Sequence, residues 1–283
     1  TPARTTTNAF KERRNKLSQH LHYFRVKNRE ILLLLSCFFQ LDVTIHPVHY
    51  TIIKCCKNAF YHAKHIRHLS YRVKKVIPNN SARTVYWLDD KLYLNVTNKC
   101  SNNCWFCFKN YKQGVGGFNL KLTEEPSAAA IIAELEETLS LRRWKEVIFC
   151  GFGEPTERLD LLLEITRWIK KRCIETPIRL DTNGHGYALN KGRDVAKELK
   201  AAGVSKVSVS LNGHNEISYK ENCRPTLDSA FEAVLDFIRK AKSEMNVEVS
   251  AVRMPEVDIQ KVKEIADSLD VPFRIREYIP CFW

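Results

Sequence analysis

The sequence predicts an α/β fold of parallel strands, and three observations carry that prediction. Strand-like segments recur at 91–97, 145–150, 177–182, 205–212, 247–253 and 272–279, with helical patterns between them at about 127–140, 157–173, 189–202, 226–243 and 258–269. Such alternation implies parallel strands joined by right-handed crossovers. The polar and glycine-bearing motifs all fall at the carboxyl ends of these strands, where parallel α/β folds gather their ligands. Six units in about 198 residues make one domain but are too few to close an eightfold barrel, so a partial, open barrel is expected.

Each element has its own local reason. On 91–97, Leu92, Leu94 and Val96 alternate to one face and leave Asn95 and Thr97 on the other. The first helix follows Thr123-Glu-Glu-Pro126, with acidic residues and proline suited to a helix start. Residues 146–150 form a short buried strand, and Leu161, Leu162, Ile165 and Ile169 trace an apolar stripe along the next helix. On 205–212, Ser208, Ser210 and Asn212 share a face opposite Val207, Val209 and Leu211. A polar stripe inside a barrel needs hydrogen-bond partners, and a bound nucleoside would supply them. Arg179, Arg274, Arg276 and Tyr278 have the parity to point inward. They would gather an anion or form salt bridges with nearby Glu residues, and the second reading is preferred. Gly114-Val-Gly116-Gly117 is too irregular for a phosphate loop and is expected to be a flexible cover.

The chemistry concentrates in Cys100-Ser-Asn-Asn-Cys104-Trp-Phe-Cys107, directly after the first strand. An iron–sulfur cluster of four irons normally takes four cysteines, so three would leave one iron open. A zinc site of this kind would want a fourth Cys or His, and no second half-motif follows. By spacing alone both readings stand. The strand 146–150 then runs into Gly151-Phe152-Gly153-Glu154-Pro155, where a glycine pair permits close backbone approach and Glu154 can accept from a ligand ammonium.

These two motifs together resemble the radical S-adenosylmethionine (SAM) superfamily. Further likeness lies in Arg179-Leu-Asp181-Thr182-Asn183-Gly184, in Val207-Ser-Val-Ser210-Leu-Asn212-Gly213, in Asn222-Cys-Arg224-Pro225 and in Val271-Pro-Phe-Arg-Ile-Arg276-Glu-Tyr278. With these, the chain is most similar to the TatD-associated radical SAM group over about residues 86–283. The resemblance implies a partial (β/α)6, TIM-like barrel. It implies that Cys100, Cys104 and Cys107 hold a [4Fe–4S] cluster. SAM would be met by Gly151, Gly153 and Glu154 at its ammonium, by Ser210 and Asn212 at its ribose, and by the backbone near Phe106 at its adenine, with Pro155 and Asn183 as further cofactor-binding residues. Reductive SAM cleavage would yield a 5′-deoxyadenosyl radical that takes hydrogen from an unknown substrate. The resemblance leaves a monovalent-cation role for Asp181 and Thr182 open. It also implies a reductant such as flavodoxin or ferredoxin and a TatD-like metal-dependent hydrolase as partner. A glycyl-radical-activating enzyme shares the cysteine spacing and the Leu-Asp-Thr-Asn-Gly run and is the enzymatic alternative. A non-catalytic metal-binding module with a nucleic-acid-binding basic segment is the other.

Composition divides the chain near residue 85. Residues 1–85 hold 16 Lys and Arg against Glu12, Glu30 and Asp42, whereas residues 86–283 hold 29 basic and 29 acidic side chains. The net charge of +13 therefore belongs to the first segment and gives no support to nucleic-acid binding by the core. All ten glycines lie after residue 85. A Gly-free segment without an initiating Met fits a non-native or poorly ordered extension, and an accessory segment or a targeting segment are the other readings. Its apolar run, Ile31–Phe39, is well short of the ~20 residues that span a bilayer, so no membrane role is expected. A free cysteine triad requires a reducing interior, which places the protein in the cytoplasm. Cys150, Cys173, Cys223 and Cys281 are expected to be isolated structural thiols.

Overall fold

The computed structural model describes residues 81–278. The chain divides into two units, Thr1–Tyr71 and Arg72–Trp283. All but the last five residues of the basic segment, together with Cys281, lie outside the described residues.

Seven strands form one sheet in the order β1 (Val85–Leu88), β2 (Lys91–Leu94), β5 (Glu146–Phe149), β6 (Ile178–Thr182), β7 (Lys206–Ser210), β8 (Asn246–Arg253) and β9 (Phe273–Glu277). β1 runs antiparallel to β2, and every later pairing is parallel. The six expected strands are thus the six parallel ones, and the fold is the partial α/β barrel. β1 had no separate sequence signal. It turns into β2 through Asp89, which takes the left-handed backbone conformation at φ 53° that Asp tolerates in tight turns.

The helices are α1 (Ala128–Leu139), α2 (Leu159–Arg172), α3 (Gly186–Leu189), α4 (Val195–Ala202), α5 (Glu216–Cys223), α6 (Ala230–Ala241) and α7 (Ile259–Ser268). Side-chain caps fix their starts: Ser127 accepts from Ala130 N–H, Asp194 from Lys197 N–H and Asp258 from Lys261 N–H. Asn215 and Ser218 form a reciprocal capping box on α5. Gly203 ends α4 at φ 116°, a conformation open to glycine alone at little cost. The helix expected over 189–202 is two helices, because Asn190–Asp194 break the run before the Asp194 cap.

Strand parity divides the barrel into an apolar outside and a polar inside. Leu92, Leu94, Val147, Phe149, Leu180, Val207, Val209 and Val249 are fully buried among Ile131, Leu135, Leu162, Ile165, Leu199, Val234, Ile238 and Val262 of the helices. At roughly 1.5–3 kcal/mol for each fully buried aliphatic side chain, this layer dominates the stability of the fold. The alternate positions across β6 to β9 are polar and bond in three groups: Arg179 with Asp181, Lys206 and Arg274 with Glu248 and Ser208, and Arg276 with Ser210.

The segment after the cysteines is more ordered than a flexible cover. Gly114–Val115 and Phe118–Asn119 pair as β3 and β4, and Phe118 packs edge-on against Trp87 with ring centroids 4.8 Å apart. Gly116 and Gly117, at φ 60° and 85°, make the tight turn between them.

Candidate functional site

The cysteine loop is anchored from every side. Arg158 Nη1 donates to the carbonyls of Val96 (3.1 Å) and Pro126 (2.7 Å), and Thr97 Oγ1 donates to Glu125 (2.8 Å). Asn103 N–H bonds the Cys223 carbonyl at the end of α5, and Thr226 N–H bonds the Ser101 carbonyl. After Cys107 the loop closes on a short 3-10 turn, Phe108–Asn110, with Tyr111 Oη donating to the Trp105 carbonyl at 2.8 Å.

The glycine pair owes its place to this loop. A Cβ on Gly151 would lie 2.1 Å from Asn95 Oδ1, and one on Gly153 would lie 2.3 Å from the Lys99 carbonyl oxygen. The close approach expected toward a ligand is thus first of all an approach of the β5 turn to the cysteine loop, sealed by Glu154 N–H donating to Lys99 O at 2.7 Å. Glu154 itself is 3 % exposed. Its Oε1 accepts from Thr156 N–H and from the hydroxyls of Thr156 and Thr182, and its Oε2 accepts from Asn183 N–H at 2.6 Å. Four donors thus meet the carboxylate, three at Oε1 and one at Oε2, against its roughly four lone-pair sites, so Glu154 acts mainly as a bracket between β5 and β6. Burial pushes its carboxyl above the usual range, against the pull of these donors. Pro155 begins the 3-10 turn that follows.

At the end of β6, Asn183 faces the cysteines. Its Nδ2 donates to Ser101 Oγ at 2.9 Å and lies 3.9 Å from Cys100 Sγ. Two residues on is His185, fully buried, with Nδ1 at 2.8 Å from Ser101 Oγ and Nε2 at 3.1 Å from Tyr219 Oη. Asn102 Nδ2 also donates to Tyr219, at 3.0 Å. Burial lowers the imidazole pKa to about 4, so His185 is a neutral link. No sequence motif links His185 and Tyr219 to Ser101 and Asn102. The available signal was that His185 and His214 are the two histidines beyond residue 85.

Ser210 and Asn212 close the other half of the mouth, and the protein supplies their partners. Ser210 Oγ accepts from Arg276 Nη2 at 3.1 Å, and Asn212 Oδ1 accepts from Val252 N–H at 2.8 Å. Ser208 bonds Glu248 and Arg274. Much of the polar stripe is therefore satisfied without a nucleoside. Two of the inward arginines follow the salt-bridge reading. Arg179 pairs with Asp181 (2.8 Å) and Glu146 (3.4 Å), and Arg274 pairs with Glu248 (2.8 Å). Thr182 donates to Glu154 and accepts from Gly184 N–H, while Asp181 is held by Arg179, so the two do not converge on a common point. Phe106 packs edge-on against Trp105, with centroids 5.7 Å apart.

The thiols of Cys100, Cys104, Cys107, Cys150, Cys173 and Cys223 are free, and Cys223 is buried. Among the described residues no three His, Cys, Asp or Glu side chains are gathered as a ligand set. Cys104 is turned to a hydrogen bond with the Cys223 thiol, and its thiol pKa is pushed up by that contact and by burial. Burial raises Cys100 to about 12. Bare thiols in this setting stay protonated, and coordination to a metal is what deprotonates such groups. Three free thiols on one anchored loop fit a cluster in kind, and burial raises the Cys107 thiol as well, against the opposing pull of Lys109 and Arg276.

A model of the radical SAM superfamily matches residues 94–269, which take in the cysteine loop, the β5 turn and the strand ends just described. The chain belongs to the radical SAM superfamily and is an enzyme of that class. Members generally bind a [4Fe–4S] cluster and SAM. Among curated proteins, the probable GTP 3′,8-cyclase of Methanocaldococcus jannaschii is 28 % identical over 67 % of this chain and 59 % of its own. That of Thermococcus kodakarensis is 31 % identical over 53 % of this chain and 43 % of its own. The chain thus spans about half the length of the curated relatives it matches. A solved structure of SuiB from Streptococcus suis, bound to the precursor peptide SuiA, shares the fold with a TM-score of 0.53 at 13 % identity, covering 96 % of this chain and 52 % of that one. Among the described residues no helix is long and apolar enough to cross a membrane.

Proposed function

We propose that this chain is a catalytic radical SAM enzyme in which Cys100, Cys104 and Cys107 hold a [4Fe–4S] cluster and the mouth of the barrel holds SAM. The observation that carries this reading is the joining of the three-thiol loop to the ends of β5 and β6 through Glu154, Asn183 and Ser101. When bound, the cluster and SAM would supply one-electron reductive cleavage and hydrogen abstraction by the resulting 5′-deoxyadenosyl group. The chain's own residues position and exclude water. Asn183 fixes the loop at Cys100, and Gly151, Gly153 and Pro155 shape the turn beneath it. Glu154 Oε2, with one hydrogen bond accepted, keeps capacity for a ligand ammonium, while Ser210, Asn212 and the backbone near Phe106 border the space for ribose and adenine.

The placement in the TatD-associated group, and a TatD-like hydrolase as partner, are supported by the motif set and are tested by co-purification. A flavodoxin or ferredoxin as reductant and a cytoplasmic setting follow from the same reading, as does a core of residues 86–283 independent of the basic segment. The GTP cyclisation named for the relatives is not carried over, because the chain matches only 43 % to 59 % of their lengths.

Anaerobic reconstitution tests the reading. About four irons and four sulfides per chain are expected, with 5′-deoxyadenosine formed from SAM under dithionite. Full iron loading in a chain with Cys100, Cys104 and Cys107 all changed to Ala would overturn it, as would zinc without acid-labile sulfide.

A further inference from the structure

We propose that Arg276 is the residue by which the barrel recognises its substrate, and that the group it recognises is a carboxylate. That the reaction takes place at this mouth comes from the radical SAM reading above, whereas the anion site stands on the side chains.

Every cation of the polar interior but one has a carboxylate partner among the described residues. Arg179 is held by Asp181 and Glu146, and both Lys206 and Arg274 are held by Glu248. Among the described residues, no carboxylate lies within ion-pair distance of Arg276. Among the described residues its hydrogen bond goes from Nη2 to Ser210 Oγ, and its buried Nε finds no partner there. A buried donor left unmade costs about 1–3 kcal/mol, more for a charged group. Such groups persist where a ligand completes them. Desolvation pulls the Arg276 pKa below the usual value, with Asp181, Cys150 and Cys104 among the groups that oppose it.

Its position fits a reacting centre. Arg276 is next to last on β9, at the carboxyl end of the barrel. One residue beyond the strand, Tyr278 meets Trp105 of the cysteine loop edge-on, with centroids 6.5 Å apart. Arg276 therefore lies between the cysteine loop and Ser210, the last residue of β7. A guanidinium presents paired donors whose fork matches a carboxylate. A phosphate dianion would call for a second cation, and the neighbouring Arg179, Arg274 and Lys206 are each already engaged by a carboxylate. One unmatched positive charge selects a single negative one.

The test titrates acetate, succinate and inorganic phosphate into the reconstituted full-length chain, following heat of binding and melting temperature, with Arg276→Gln and Arg276→Lys alongside. One carboxylate site is expected in the unaltered protein, weakened about tenfold or more in Arg276→Gln and less in Arg276→Lys, with phosphate binding more weakly than acetate. Equal carboxylate binding by Arg276→Gln overturns the site, and tighter binding of phosphate overturns the carboxylate assignment. An Arg276→Gln chain that keeps less than half the iron of the unaltered protein makes the guanidinium a countercharge for the cluster and overturns its recognition role. Should Arg276→Gln not fold, Arg276→Lys decides: binding weakened about threefold or more supports the site, and unchanged binding overturns it. Iron, sulfide and 5′-deoxyadenosine from the unaltered chain report on the radical SAM reading separately. A chain that loads its cluster and cleaves SAM yet binds no carboxylate fails the anion site alone.

Discussion

Glu154 accepts the backbone N–H of Asn183 at 2.6 Å, so the turn after β5 and the end of β6 share one carboxylate. Thr182 donates to the same group, and Asn183 carries the connection onward to Ser101 beside the first cysteine. On this side the cysteine loop is thus anchored to two strand ends held by a single side chain.

Glu154→Gln keeps the shape but turns part of an acceptor into a donor facing donors. A loss of about 2–4 kcal/mol is expected, read as a lower urea midpoint, together with faster iron loss to a chelator. An unchanged midpoint would show that the bracket is dispensable.

Gly153→Ala presses a methyl group against the carbonyl oxygens of Lys99 and Thr97, at 2.3 and 2.5 Å. Backbone atoms cannot swing aside as a flexible side chain can, so about 2 kcal/mol or more is expected. At Gly192 there is open space and only a positive φ of 80°, and alanine there should cost about 1 kcal/mol. Denaturation midpoints of the two variants decide, and an equal loss would count against the close approach.

His185 gives the protein a distinctive acid response. Its pKa is held at about 4 by burial, against 6.5 for an ordinary imidazole. The folded state favours the neutral ring, so its stabilisation is complete above pH 6.5 and is lost as the pH falls from 6.5 toward 4. The loss is on the order of 3 kcal/mol. His185→Gln should remove that part of the slope between pH 7 and 4.5. A variant with the same pH profile as the parent would show that the slope arises elsewhere.

Glu248 faces burial, which raises its pKa, but hydrogen bonds from Lys206, Arg274 and Ser208 prevail and bring it to about 2. Glu248→Gln leaves two cations without a carboxylate. Both reach solvent in part, at 36 % and 42 % side-chain exposure, so the expected loss is about 2 kcal/mol, below that of a sealed pair. The double change Glu248→Gln with Arg274→Met should recover part of it in urea unfolding, and strict additivity would deny the coupling.

The six parallel strands and the polar face of β7 were legible because period-2 alternation is local: each residue's face is fixed by its neighbours in sequence. The elements missed were short ones. β1 depends on pairing with β2, α3 is a single turn, and the β3–β4 hairpin is held by Phe118 packing against Trp87. For such pieces tertiary contacts outweigh intrinsic propensity.

By itself the sequence determined the three thiols on one loop, the glycine-bearing turn after β5 and the alternation that makes a partial barrel. Only the tertiary structure decided that Gly153 makes room for Lys99, that His185 ties β6 to Ser101, and that Arg179 and Arg274 find carboxylates while Arg276 finds none among the described residues. Parity says which way an arginine points. Its partner depends on register across strands far apart in sequence, as where Arg274 reaches Ser208 from 66 residues away, and register is settled when the sheet assembles.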